Sequence, residues 1–437
     1  MEFISAVTAV ICIFIKHRNR EEYKMAVLRP FKAVRPKDEY ASEVGALPYD
    51  VMNSEEAREM VKDKPYSFLH VDKAEVDLPQ GIDIYSAQVY EKAKENLDAL
   101  SEKGIVGQDE KPMLYIYRQI MNGREQTGIV GCTAVDDYIN NVIKKHEFTR
   151  ADKEADRIRH VDTLDANTGP IFLTHRENKT VSDITENWKN THAPCYDFVS
   201  DDGVSQTVWV IDDDAVIDTL VKEFAEIPYL YIADGHHRCA SAVRVGERRR
   251  GDGEYDKNAE FNFFLSVIFP CDQLRIMDYN RVIADLNGNT SEEFIAKMSE
   301  KFVVEEAQTS PYAPKERHTF GMYLDNKWYK VTAKPEFINE NDPVLCLDVS
   351  ILQNNLIKPI LNITDPRTDK RIDFVGGIRG LGELERRVGE GMRLAFAMYP
   401  TSLNELMDIA DAGQVMPPKS TWFEPKLLSG LFIHKLS

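Results

Sequence analysis

The apolar, β-rich run Tyr229-Leu230-Tyr231-Ile232-Ala233 stops at Asp234-Gly235, and His236-His237-Arg238 then opens a helix-compatible stretch over residues 239–245. A strand that turns into a helix within two residues fixes local topology, because the helix must begin where the strand ends. The start of a helix offers unpaired amides and a partial positive charge, so that corner attracts an anion. Gly235 removes the side chain where a phosphate would approach the backbone, Arg238 offers a two-pronged grip on oxygens, and the histidines add donors. Asp234, at the strand end, faces the same opening and is placed to accept a proton or orient a hydroxyl. Two other readings stand beside phosphate binding: plain packing or capping, and a metal pair. The metal pair is poorly supported, because adjacent histidines diverge on a helix and the spacing is not that of His-Glu-x-x-His.

Composition narrows the partners. The chain has 437 residues, 43% of them apolar and 29% charged, which suits a folded protein with a real core and excludes global disorder, a collagen-like fibre or a polytopic membrane protein. Acids outnumber bases 72 to 54, a formal charge of −18 that repels nucleic acid and anionic lipid. No nucleic-acid or membrane partner is expected, while a small phosphorylated ligand fits a local basic pocket. The cysteines at 12, 132, 195, 239, 271 and 346 form no Cys-x-x-Cys pair, so reduced thiols and a cytoplasmic location are expected. The apolar run at residues 3–15 (FISAVTAVICIFI) is short for a bilayer span and follows Glu2 rather than a basic flank. Residues 1–24 read as a dispensable extension, because patterned sequence starts at Ala26-Val27-Leu28-Arg29-Pro30-Phe31; a chain of residues 25–437 is expected to fold without them.

Beyond that, helices and strands alternate too irregularly for a doubly wound sheet, and the class read from the chain is α+β. An N-terminal α+β module over 25–142 holds a helix at 87–100 and two strands joined through Asn122-Gly123-Arg124, with Ser54 as an early helix cap. A core over 143–270 follows, with a charged helix at 149–164 and polar, loop-like residues at 176–192. A C-terminal α+β module spans 271–437, with a hairpin turning at Asp325-Asn326 and a helix at 403–412.

Two further segments carry candidate chemistry. Thr149 is placed to cap a helix on which Arg150, Lys153, Arg157 and His160 recur every three to four positions. That basic stripe is either a solvated face of ion pairs or a set of added phosphate contacts from Arg150 and Lys153. Glu147, just ahead of it, gains significance only if the fold brings it near Asp234. Near the C-terminus, Pro417-Pro418-Lys419-Ser420-Thr421-Trp422 stiffens a loop that offers an amine and two hydroxyls beside an aromatic, suited to a small polar ligand or to covering a sheet edge. Gly376-Gly377-Ile378-Arg379-Gly380 matches no phosphate-binding motif and reads as a strand-to-helix turn.

Three separated strings resemble the free-serine kinases, which have a ParB/sulfiredoxin-like nucleotide-binding fold: Asp234-Gly235-His236-His237-Arg238, His146-Glu147 before a charged helix, and Met398-Tyr399-Pro400-Thr401 continuing to Pro418-Lys419-Ser420-Thr421. They occur in the same order along the chain. From about residue 25 to 437 the chain also resembles a large family of uncharacterised bacterial and archaeal proteins that opens near Arg29-Pro30-Phe31 and closes with Ser420-Thr421-Trp422-Phe423-Glu424-Pro425-Lys426.

The kinase resemblance implies transfer of a phosphoryl group from ATP or ADP to the hydroxyl of free L-serine or a related compound. In it Glu147 is the base, Asp234 orients or helps to activate the hydroxyl, Gly235, His236, His237 and Arg238 hold the phosphates, and Lys419, Ser420 and Thr421 lie near the substrate. Magnesium is implied by the chemistry of phosphoryl transfer, with no ligand set assigned. The 234 − 147 = 87 residues between the two acids exceed the kinase spacing, which implies an insertion near 176–227. Trp422 and Phe423 stand where the kinases carry basic and imidazole side chains. A nucleotide-binding regulatory module without turnover is the alternative function. Thiol repair of the sulfiredoxin kind is disfavoured, because His236 stands where that family keeps its cysteine.

Overall fold

The computed structural model describes residues 25–437; the run at 3–15 and the extension at 1–24 lie outside the described residues. Eight strands form one mixed sheet: β1 (Leu114–Met121), β2 (Arg124–Ala134), β3 (Ile143–Lys144), β4 (Ile171–His175), β5 (Tyr196–Val199), β6 (Ser205–Ile211), β7 (Leu230–Asp234) and β8 (Phe263–Pro270). Their spatial order is β3-β7-β4-β8-β2-β1-β6-β5. β1 and β2 come from the 25–142 stretch and the other six from 143–270. The β1–β2 hairpin turns at Asn122-Gly123, both with positive φ, as a two-residue turn between right-twisted strands requires.

Strand alternation gives each face its own core. Leu114 and Ile116 of β1, like Leu230 and Ile232 of β7, point into one apolar cluster, whereas Tyr115, Tyr117, Tyr231 and Ala233 point into another. The principal helices of this half are α1 (Ser54–Val61), α2 (Ala87–Glu102), α3 (Ala151–Leu164), α4 (Lys179–Thr191), α5 (Asp214–Phe224) and α6 (His236–Arg250). The first cluster is sealed by α4, α5 and α6 through Val181, Trp188, Ile217, Leu220, Phe224, Cys239 and Val243. The opposite cluster takes in Phe423, Leu427, Leu428, Leu431 and Phe432 from the C-terminal segment. A third cluster joins α1 and α2 to Phe68, Val71 and Leu164, building a wall beside the main sheet.

Two local expectations are corrected. The polar stretch 176–192 reads as loop, yet it contains α4, whose Asn178 side chain accepts the backbone N–H groups of Thr180 and Val181. Val181, Thr185 and Trp188 supply a narrow buried stripe at helical spacing, enough to anchor a helix that is polar elsewhere. The cap of α1 is Asn53, in a capping box with Glu56, rather than Ser54.

The remainder forms a second sheet of β9 (Tyr279–Ile283), β10 (Phe302–Glu306), β11 (Thr319–Leu324), β12 (Lys327–Ala333), β13 (Ile372–Gly376) and β14 (Leu394–Ala397), ordered β10-β12-β11-β14-β9-β13 and antiparallel throughout. Its helices include α7 (Ser291–Met298) and α8 (Leu403–Asp411), and α8 buries Leu406, Met407, Ile409 and Ala410 in the cluster shared with the first sheet. Two large sheets and three two-stranded ones, with helices set beside them, make the protein α+β. Among the described residues no helix is long and apolar enough to cross a membrane, and Cys132, Cys195, Cys239, Cys271 and Cys346 are free thiols.

Candidate active site

The sheet edge explains how residues distant in sequence meet. β3 and β7 run parallel, with Ile143 facing Leu230 and Lys144 facing Tyr231. Parallel neighbours emerge at the same end, and Glu147 and Asp234 each lie three residues beyond the Lys144–Tyr231 rung. A register shift between Ile232 and Asp234 breaks the alternation of β7 just before the carboxylate, the kind of irregularity that re-aims a side chain. The helices that follow, α3 and α6, pack against each other and begin at this same end. Ligands of sheets with parallel strands gather at such carboxyl ends.

The result is a cleft of about 1220 Å³. Glu147, Asp234, His236, His237, Arg150 and Lys153 line it, and Lys419, Ser420 and Thr421 reach it from the C-terminal loop. Tyr49, Asp50 and Tyr85 wall it from the N-terminal side, and the loop Asp365-Pro366-Arg367-Thr368-Asp369-Lys370 from the second sheet.

Asp234 is firmly held: its Oδ1 accepts the Gly235 N–H at 2.9 Å, and its Oδ2 pairs with Lys426 Nζ at 3.1 Å. Burial by itself would raise this carboxyl, but the Lys426 ammonium and the Arg238 guanidinium outweigh it and hold the group below the ordinary aspartate range. Lys426 is raised in turn; burial opposes its charge, and Asp234 and Glu424 more than compensate. Its backbone carbonyl accepts Gln119 Nε2 of β1 at 2.9 Å, which ties the lysine to the sheet.

Glu147 is held more loosely. Its side chain is half-buried, with His236 Nδ1 3.9 Å from Oε2. Burial pushes its carboxyl up; Lys419 pulls it down and Asp234 pushes it up again, for a net rise. His146 and His236 meet edge to face with centroids 4.5 Å apart, both buried. Burial lowers both imidazoles, His236 to about 4, so they are neutral near pH 7. His237 is lowered by burial as well, and its Nε2 accepts the Arg150 N–H at 3.0 Å, pinning the start of α3.

The helices differ in how their first turns are satisfied. Asn53, Asn178, Asp213, Thr290 and Ser402 cap α1, α4, α5, α7 and α8 with their side chains. The starts of α2, α3 and α6, at Ser86, Arg150 and Gly235, carry no side-chain cap, and those of α3 and α6 face the cleft. Thr149, expected to cap α3, donates instead to Glu154 Oε2 at 2.9 Å. In α6 the first helical bond runs from Cys239 N–H to Gly235 C=O, so the N–H groups of His236, His237 and Arg238 precede it. Gly235 has φ +90°, a backbone conformation that favours glycine, and an added Cβ would press on the Arg238 guanidinium at 3.2 Å.

Arg238 turns away from the main cleft. Its Nη1 donates to the Pro170 carbonyl at 2.7 Å, and its side chain lines a small neighbouring cavity of about 20 Å³ with Tyr49, Asp72, Arg157 and His160. Lys153 donates to the Tyr85 hydroxyl at 3.0 Å, and Arg150 pairs with Asp152 at 2.8 Å. Lys419 adopts φ +61° and lies 5.5 Å from the Tyr279 ring centroid; Ser420 Oγ donates to the Pro417 carbonyl at 2.6 Å, so it shapes the loop. Lys426, Asp50 and the 365–370 loop were not singled out by sequence reasoning; Lys426 stands in the closing motif, but nothing in its spacing points to Asp234. Among the described residues no group of three or more His, Cys, Asp or Glu is arranged to hold a metal ion. Magnesium that travels with a nucleotide needs only one or two protein carboxylates beside the phosphates, so such a cluster is not required for it.

Residues 28–350 match the family model described as "Protein of unknown function (DUF1015)", and the chain belongs to that family. No curated protein matches it. Among solved structures, a mutant of a free serine kinase in complex with AMP is 13% identical, covering 67% of this chain and 86% of its own, with a TM-score of 0.36. A conserved hypothetical protein from Pyrococcus furiosus is 15% identical over 69% of this chain and 94% of its own, with a TM-score of 0.35. SbnI with a C-terminal truncation, from Staphylococcus aureus, is 10% identical over 69% and 85%, with a TM-score of 0.37. Likeness at this level assigns no residue a role in the cleft.

Proposed function

We propose that this cleft is the active site of a cytoplasmic phosphotransferase that moves a phosphoryl group from ATP or ADP to the hydroxyl of free L-serine or a related compound. One observation carries the reading: Glu147 and Asp234, 87 residues apart, stand at the same end of paired parallel strands in environments that push their carboxyls in opposite directions. Such pairs are how a site obtains both a group able to take a proton and a group that stays charged. In this reading the eight-stranded sheet, six strands from residues 143–270 and two from 25–142, forms a ParB/sulfiredoxin-like nucleotide-binding core, the helices of 25–142 wall it, and residues 271–437 close the substrate side.

Phosphoryl transfer needs alignment and charge neutralisation more than covalent help from the protein. The nucleotide phosphates lie against the uncapped starts of α6 and α3, at the amides of residues 235–238, with His236 and His237 adding neutral donors and Arg238 bracing the turn from below. Arg150 and Lys153 exchange Asp152 and Tyr85 for phosphate oxygens. Lys419 and Thr421 face the acceptor, on the loop that Ser420 shapes. Asp234, ionised and braced by Lys426, orients the hydroxyl. As the hydroxyl oxygen bonds to phosphorus, its proton passes to the Glu147 carboxylate, and the bond from phosphorus to the departing phosphate oxygen breaks. ATP leaves as ADP, or ADP as AMP, and any magnesium arrives with the nucleotide.

The test is to incubate the protein with magnesium, ATP or ADP and a panel of free amino acids, following phosphorus NMR. A new phosphomonoester signal with a hydroxyl amino acid is the expected result. No turnover on any of them would transfer the reading to a nucleotide-binding regulatory module.

A further inference from the structure

Asp411 is the last residue of α8, the negative end of that helix, where a carboxylate is unfavourable unless cations answer it. Three groups do. Lys144 Nζ lies 3.1 Å from Oδ1, Arg176 Nη2 lies 3.0 Å from Oδ2, and the Tyr231 hydroxyl donates at 3.0 and 3.1 Å to the two oxygens. Lys144 is buried, with only 8% of its side chain exposed, so this carboxylate answers a charge that has little access to water.

Lys144 and Tyr231 are the facing pair that ends the β3–β7 ladder. One carboxylate from a remote helix therefore bridges two neighbouring strands at one rung, three residues before Glu147 on one and three before Asp234 on the other. β3 has only two residues and is the edge of the sheet, so its own ladder holds little register. A second tie comes from the same C-terminal segment: the Met416 N–H donates to the His146 carbonyl at 2.8 Å, one residue before Glu147.

Resting on the kinase reading, we propose that Asp411 is a positioning residue, clamping the strand end that carries Glu147 against the strand that carries Asp234. Through it the helix that leads into the Lys419–Thr421 loop also sets the placement of the base. The charged and titratable groups facing Glu147 are Lys419, Asp234 and His236, and none of them is altered by the test.

The test uses the full chain labelled with carboxyl-13C glutamate; subtracting the spectrum of Glu147→Gln isolates the Glu147 signal. In Asp411→Asn the clamp loosens and Glu147 gains water, so its titration should move toward the ordinary glutamate value near about 4.3. Turnover should fall roughly 10²-fold with the KM for nucleotide within threefold, since misplacement of a reacting group by about 1 Å has that effect. The acid limb of the rate profile should shift to lower pH with the titration. Lys144→Met combined with Asp411→Leu removes both charges, so it should recover the melting temperature while leaving the titration shifted and turnover low. A Glu147 signal titrating as in the unaltered chain in both variants would overturn the proposal, as would recovery of turnover by the double variant. If the unaltered chain phosphorylates no hydroxyl amino acid, the kinase reading fails, and the carboxyl titration alone decides whether Asp411 positions Glu147.

Discussion

The two carboxylates of the cleft sit on neighbouring strand ends, yet their surroundings differ in kind. Asp234 ends a strand flanked on both sides, accepts a backbone N–H, and pairs with a lysine anchored to β1. Glu147 follows a two-residue edge strand, keeps much of its side chain open to the cleft, and has its nearest ring nitrogen 3.9 Å away. The first environment fixes a charge; the second leaves a proton free to come and go. A sheet thus gives two neighbouring carboxylates opposite electrostatic settings by how each strand end is enclosed.

The contrast breaks most visibly at Glu147. In Glu147→Ala, transfer should fall by roughly 10²–10⁴-fold, the usual worth of a general base, with nucleotide affinity within several-fold by calorimetry. Unchanged turnover would remove the base from the scheme. Because the carboxyl is raised in the fold, its ionised form is disfavoured there, so Glu147→Gln should also raise the neutral-pH melting temperature, a gain that fades as pH falls through the raised folded value and is gone by the ordinary glutamate range.

Asp234→Asn should show the opposite sign in stability. It strands the Lys426 ammonium, 11% exposed, and urea unfolding should register a loss of about 2–3 kcal/mol, under the full cost of a buried pair because the cleft admits some water. A loss near zero would mean that the pair is not what holds Asp234 ionised.

Acidification probes the imidazoles behind both acids. His146 and His236 titrate below their unfolded value near 6.5, His236 at about 4, so their stabilising contribution is whole above about pH 6.5 and declines as pH falls toward those folded values. His236→Gln should flatten part of that decline in a series of melting curves.

The smallest effect on ligand binding belongs to Arg238. With its guanidinium directed at Pro170, Arg238→Ala should cost about 1 kcal/mol of stability through the lost hydrogen bond and change nucleotide affinity less than threefold. A tenfold loss of affinity would bring the guanidinium up into the cleft.

Much of this was legible in the residues. The strand, glycine and helix around Asp234 announce themselves by a change of period from two to 3.6 and a residue free to take positive φ, and the β1–β2 hairpin by Asn122-Gly123. Sequence order told nothing about β3 lying beside β7, because a two-residue edge strand leaves almost no periodic trace. The α4 helix was hidden by polar composition, although its Asn178 cap and the 181, 185 and 188 stripe were present. Arg238 appeared as a phosphate ligand by its place in a motif, while its guanidinium is claimed by a carbonyl 68 residues away. Lys426 and Asp411 were invisible as partners of Asp234 and Lys144, since pairs 192 and 267 residues apart have no local signature.

The span from Asp411 to Lys426 has a consequence during synthesis. A ribosome that has released only the first four hundred residues presents both acids, but neither the aspartate that clamps their strands nor the lysine that answers Asp234. Without Lys426, Asp234 keeps only the Arg238 guanidinium against its charge, and the corner becomes more anionic. A chain cut after residue 400 is therefore expected to keep both acids while losing the partners that set them apart.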